Sequence, residues 1–171
     1  MLLPDEKKLN ALKGETMAVI ALCQFDLTRC FGYPYTKDKG ASLGAPLIDH
    51  LVGTYENPPR STVAQAYDFI IETLEEAVTL MSEEKNNGRM NKYAARALLA
   101  RIYLYHDDNR KAFDLADQLI KDADTSGSYA LYPHEKYVAA WSVEAKFGSE
   151  SFLRWPIVWM ILQDGIHGDI Y

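Results

Sequence analysis

Flat aromatic side chains outside helices are the chemistry this sequence offers most freely. A pyranose ring presents faces of C–H groups that stack on Trp or Tyr, while its hydroxyls meet Asn, Asp or Arg. The candidates outside clear helical stripes are Tyr33, Tyr35, Tyr55, Trp141, Trp155 and Trp159. Each also suits a plainer role, packing a loop onto helices, which is the commoner use of such a residue. The nearest approach to a metal set is "DGIHGD", with Asp164, His167 and Asp169. These groups could ligate a cation, though a solvated loop is the commoner state of such a stretch. "HDDN" at 106–109 reads as a turn between helices. Cys23 and Cys30 lie about 10 Å apart along one helix, too far for a disulfide. With no further ligands nearby they read as small buried hydrophobes. No cofactor and no metal is expected.

Catalytic carboxylates need a pocket and one raised pKa. Of the 24 Asp and Glu residues, most fall on helix faces opposite the apolar stripe. No Gly-x-Ser-x-Gly occurs, and "GASLGAP" lacks the Lys-Ser/Thr ending of a phosphate loop. An enzyme is therefore not expected.

These groups must be placed by a scaffold, and the chain of 171 residues is long enough for one domain with a real core. Hydrophobic residues make up 48% and charged residues 25%, which excludes a disordered tail. The longest uncharged apolar run, "TMAVIALCQF", is well short of the roughly 18 residues of a spanning helix. The net charge of −6 and the lack of a basic patch argue against nucleic acid. The start, "MLLPDEKK", reads as no signal peptide.

The spacing predicts a helix over 5–32, with Leu9, Leu12, Val19, Ile20, Cys23, Leu27 and Phe31 as its apolar stripe. Gly32 and Pro34 stop it. Residues 33–61 form a long loop rich in Pro and Gly, to be packed down by Leu43, Leu47, Ile48, Leu51 and Val52. Ser61 or Thr62 caps a second helix, 62–81, with a clean stripe from Val63 to Met81 and Glu72, Glu75 and Glu76 opposite. Asn91 caps a third helix running to about Tyr105, Ala-rich and apolar nearly all round, hence buried on several sides. A fourth puts Ala112, Phe113, Ala116, Leu119, Ile120 and Ala123 on one stripe, with Gly127 as terminator. In 125–171 the helical signal weakens. "PHEKYVAAWS" suits a short helix begun by Pro133, and "ESFLRWPIVWMIL" reads as extended.

The fold class is therefore mainly α: tetratricopeptide-like helix pairs, an α-α superhelix with long irregular loops. The first pair is 5–32 with 62–81, and the second lies within 91–124. A single domain over 1–171 is expected, and so short an array points to a piece of a longer protein.

Three ordered segments carry a resemblance: "KGETMAVIALCQFDLTRCFGYPY", "GAPLIDHLVGTYENPPRSTVAQAYDFIIETLEEAV", and "GRMNKYAARALLARIYLY" followed by "AFDLADQLI". Their order and spacing over about 10–125 resemble the SusD/RagB family of outer-membrane nutrient-binding lipoproteins. "GSESFLRWPI" is similar to a later strand of that family. The resemblance implies a helical scaffold carrying loops that bind glycans or nutrients. It implies a surface lipoprotein of the cell outer membrane that partners a TonB-dependent transporter in nutrient uptake, and no enzyme. Attachment to the membrane would be only through a lipid anchor that this chain lacks. The alternative is a tetratricopeptide-type module whose groove holds a partner peptide. The 33–61 loop separates the two, since only the first reading needs it packed across the helices.

Overall fold

The structure, a computed structural model, describes residues 5–85 and 88–140. It is built of helices α1 (Glu6–Phe31), α2 (Val63–Leu80), α3 (Lys92–Tyr105), α4 (Asn109–Ser126) and α5 (His134–Ala140). A 3-10 turn (Tyr35–Lys37) and two short strands, β1 (Leu43–Pro46) and β2 (Arg60–Thr62), occupy the long connection. The architecture is the expected one, mainly α with tetratricopeptide-like pairs α1–α2 and α3–α4 and with α2 packed on α3.

Each helix begins where the sequence supplies a cap. Asp5 accepts from the Lys7 N–H and Asn91 from that of Ala94. Thr62 and Gln65 make a reciprocal capping box, so Thr62 rather than Ser61 is the cap. Asp108 caps α4, and Gly127 ends it in the left-handed region at φ 65°.

Neighbouring helices run antiparallel. Gly14, early in α1, lies against Ala77 and Met81 at the end of α2, whereas Gly32 after α1 lies against Val63 at the start of α2. A Cβ on Gly14 would sit 2.9 Å from the Ala77 carbonyl oxygen, so the two axes approach as closely as backbone allows. Ala18 and Ala21 continue that contact, fully buried. Phe25, Ile70, Leu74 and Ile102 fill the core between α1, α2 and α3, each contributing roughly 2 kcal/mol by burial. A smaller cluster of Tyr93, Leu119, Ala123 and Tyr129 joins α3 to α4, and Asn91 donates to the Tyr129 hydroxyl at 2.7 Å beside it.

Several inward assignments are overturned. The face of α1 that packs is Gly14, Ala18, Ala21, Gln24, Phe25 and Thr28. Leu9, Leu12, Ile20, Leu27 and Phe31 point outward, and Val19 is only half-buried. Close approach selects the small-residue side, and the bulky side is left out. Cys23 and Cys30 share that outer side and are exposed, so they are not core residues. On α4, Ala112, Leu119 and Ala123 are buried, while Phe113 and Ile120 face solvent. On α3, Leu104 and Tyr105 are exposed, so that helix is not enclosed on every side.

The long connection also differs from a plain loop. β1 and β2 pair antiparallel, Leu43 with Thr62 and Pro46 with Arg60, with an irregularity between. Leu43 and Leu51 are exposed and do not pin it; Leu47, Ile48 and Val52 are half-buried. Backbone carbonyls do the pinning. Val63 N–H donates to Ser42 O and Ala64 N–H to Gly40 O, both at 2.9 Å. The donors that α2 cannot satisfy internally are thus met by the connection itself. Lys39 reaches across to Asp107 at 2.8 Å. The Tyr35 ring lies 4.2 Å from that of His106 and 5.6 Å from that of Tyr67. The tail of α3 thereby holds the connection from the other side.

Gly40 has φ +77°, and a Cβ there would lie 2.6 Å from the Ala64 nitrogen. Gly127 has φ +65° with nothing within 4 Å of a Cβ. Gly40→Ala should therefore cost about 2–4 kcal/mol and Gly127→Ala only about 1 kcal/mol in urea denaturation. Equal costs would mean the connection does not seal α2.

Burial is the main influence on His106, pushing its imidazole below the usual 6.5 against the opposing pull of Asp68, Asp108 and Asp107. The unfolded chain therefore takes up this proton first as pH falls. His106 contributes stability above about pH 6.5, and that contribution is lost as pH falls through the lowered folded value. Denaturation midpoints should drop more steeply in the native protein than in His106→Phe between about pH 7 and pH 5. Parallel profiles would show that the ring titrates as it does unfolded.

Candidate functional site

At the end of the bundle where α1 stops, the chain must leave the helix, cross α2 and α3, and return. Gly32 is extended there, its N–H donating to Thr28 O at 2.8 Å. Pro34 then opens the 3-10 turn. This puts Tyr33 and Tyr35 side by side over the start of α2 and the last turn of α3. Tyr67 and Tyr105 come up from those two places.

The four tyrosines line one pocket of about 140 Å³ together with Thr28, Arg29, Gly32 and Pro34. Below it the rings interlock edge to face. Phe25 meets Tyr67 at 6.2 Å and Tyr105 at 5.4 Å, with interplanar angles of 72° and 90°. The Arg29 guanidinium lies 5.3 Å over the Phe25 ring and 5.0 Å over that of Tyr105, and also pairs with Asp26 at 3.2 Å. Burial pushes the Tyr67 hydroxyl up to about 12. It is therefore a neutral donor and acceptor at physiological pH, not a base.

The sequence candidates divide sharply. Tyr33 is exposed, with the Lys37 ammonium 3.0 Å from its ring centroid on one side. Tyr35 is half-buried and serves both roles, packing on Tyr67 and His106 while lining the pocket. Tyr55 lies outside the pocket on the connection between β1 and β2, 95% exposed. Trp141, Trp155 and Trp159 lie outside the described residues, as do Asp164, His167 and Asp169. Sequence reasoning missed Arg29 altogether and read Tyr67 and Tyr105 only as apolar stripe and core bulk. For the two tyrosines the signal was position: Tyr67 near the start of one helix and Tyr105 in the last turn of the next must meet at one end.

The arrangement can stack a flat, uncharged ring and offer it hydroxyl and guanidinium donors. A volume of about 140 Å³ is below the range of a full small-ligand pocket, so it suits one ring face, as an open platform. Among the described residues no group of three His, Cys, Asp or Glu side chains could hold a metal ion. No described helix is long and apolar enough to cross a membrane.

Comparison with known proteins gives the lineage. The family model described as SusD-like, "starch-binding associating with outer membrane", matches residues 2–104. No curated protein matches. Among solved structures, a SusD superfamily protein from Bacteroides vulgatus ATCC 8482 is 97% identical with a TM-score of 0.85, over 89% of this chain and 34% of that one. A SusD superfamily protein from Bacteroides thetaiotaomicron VPI-5482 is 40% identical with a TM-score of 0.82, over 90% and 32%. A SusD-like carbohydrate binding protein from Bacteroides vulgatus ATCC 8482 is 26% identical with a TM-score of 0.70, over 83% and 30%. The chain thus spans about a third of the length of these relatives. The ordered helices, the RSTV return into α2 and the family match agree: the chain belongs to the SusD-like family.

Proposed function

We propose that this chain is the helical part of a glycan-binding protein of an outer-membrane nutrient-import system. It binds and does not catalyse. It works beside a TonB-dependent transporter and is held at the membrane by a lipid anchor. The observation that carries the binding reading is the tyrosine platform, where Tyr33 offers an open face above Tyr35, Tyr67, Tyr105 and Arg29. Such a surface fits the C–H face of a sugar and has little to offer a charged or extended peptide. The family's description as starch-binding and a relative's as carbohydrate binding support the same chemistry. Tyr55 and the tryptophans Trp141, Trp155 and Trp159 are the further stacking residues of this reading.

The connection between α1 and α2 favours a nutrient binder over a plain tetratricopeptide adaptor. It lies across the helices, with Gln24 donating to Pro46 O at 3.1 Å and Ala64 N–H to Gly40 O at 2.9 Å. A repeat adaptor keeps such connections short to leave its groove free.

Isothermal titration with maltoheptaose tests the reading. Tyr33→Ala should weaken binding about tenfold, as loss of an aromatic anchor does, with an unchanged melting temperature because the ring is exposed. Unaltered affinity in Tyr33→Ala and Tyr35→Phe/Tyr33→Ala would remove the platform from the binding surface.

A further inference from the structure

The opposite end of the α1–α2–α3 layer carries a second, larger pocket. It opens between the first turns of α1 and the link from α2 to α3, and its volume of about 520 Å³ falls within the usual range for small-ligand sites. Buried Met81 and half-buried Met90, with Leu12, give it an apolar floor; Ser82 and Glu84 offer oxygens. Exposed Lys7 and Lys8 stand at its rim. The wall is fixed: Glu15 takes two bonds from Arg89, at 2.9 and 2.5 Å, and the Met90 N–H at 3.2 Å.

The lysines are set apart by what they lack. The chain has 24 acidic and 18 basic side chains, so cations are the scarcer partner. Among the described residues, every Lys and Arg other than Lys7, Lys8 and Lys136 meets a carboxylate, a carbonyl or an aromatic ring. Two of those three exceptions are neighbours on one pocket.

We propose that this pocket binds the carboxylate-bearing residue of an acidic glycan, a uronic acid, with Lys7 and Lys8 gripping the carboxylate and Leu12 and Met90 carrying the ring's C–H face. Ser82 and Glu84 receive its hydroxyls. Glu84 also repels a second negative charge, so the site takes one carboxylate and disfavours a phosphate cluster. This inference rests on the glycan reading above and names a sugar class for it, at a place separate from the tyrosine platform.

The test is titration of the purified protein with tetragalacturonate and with neutral maltotetraose, in the native protein and in K7Q/K8Q. Both lysines are exposed, so the variant should melt as the native protein does. Tetragalacturonate should bind, weaken as salt is raised, and lose tenfold or more in K7Q/K8Q, while maltotetraose binding stays unchanged. Maltotetraose binding with no tetragalacturonate binding overturns this inference alone. So does tetragalacturonate binding that is indifferent to K7Q/K8Q. If neither sugar binds the native protein, the glycan reading falls and this inference with it.

Discussion

The structure depends on how the chain re-enters α2. Arg60 donates from Nε to Gly44 O at 2.7 Å and from its terminal nitrogen to Leu43 O at 3.0 Å and Phe31 O at 3.3 Å. One side chain therefore ties the end of α1, the strand β1 and the start of β2. Ser61 adds a bond to Ala45 O at 2.8 Å, Thr62 caps the helix, and Val63 is buried between Gly32 and Gly44. Each residue of "RSTV" has a distinct physical task at one knot. An arginine bonded to carbonyls has no carboxylate to neutralise it. Its alternative partner is water, and its net contribution is the modest one of exchanged hydrogen bonds. Its weight lies in geometry, because it fixes where the long connection starts and stops.

From that knot the rest of the bundle follows. Gly32 and Gly44 let the connection close onto Val63, and Gly14, Ala18 and Ala21 let α1 lie flat on α2 along the remaining length. With both ends of the α1–α2 pair set, the ends of the layer stay open among the described residues. There helices stop and the backbone turns, and there the tyrosine platform and the lysine-rimmed pocket form. Parts of the helix flanks carry paired charges such as Lys13–Glu76 and Arg96–Asp122, whereas the outer side of α1 and the Phe113–Ile120 side of α4 stay exposed and apolar. Both of these pockets thus lie at chain reversals, beside the packed pair of helices.

The order and type of the helices were legible in the sequence because caps and terminators are local. Thr62 with Gln65, Asn91, Asp108 and Gly127 act within a few residues of themselves. Which face packs was legible for α2, whose stripe is both bulky and buried. It was not legible for α1. That helix is apolar on two sides, and side-chain size favours the wrong one, since a glycine and two alanines win by letting backbones touch. The strands left no periodic signal: β1 is "LGAP", with a glycine and a proline that disfavour a strand, and it persists through its partner and Arg60. The tyrosine platform was half legible. Tyr33 and Tyr35 stood out as loop aromatics, whereas Tyr67 and Tyr105 joined them only through the antiparallel path of the helices.

The two described histidines with shifted pKa values show how differently the connection is held at its two margins. At the α3 end, His106 is packed among rings and neutral, so acid loosens that contact. On the stretch between the strands, His50 bonds Asp49 at 2.6 Å and Glu56 at 2.7 Å, and the Gly53 N–H reaches the same Glu56 at 3.0 Å. The bond to Asp49, then that to Glu56, raise the His50 pKa. Its contribution is therefore full below the ordinary imidazole value and is lost as pH rises through the raised one. The signs oppose: acid tightens the His50 bridge that carries exposed Tyr55 and loosens the ring stack that seats Tyr35. Every group of the His50 bridge is exposed, so solvent screens it and its effect is local order of the loop. The half-buried stack on Tyr67 bears on the stability of this end of the bundle, and the exposed bridge only on the posture of Tyr55.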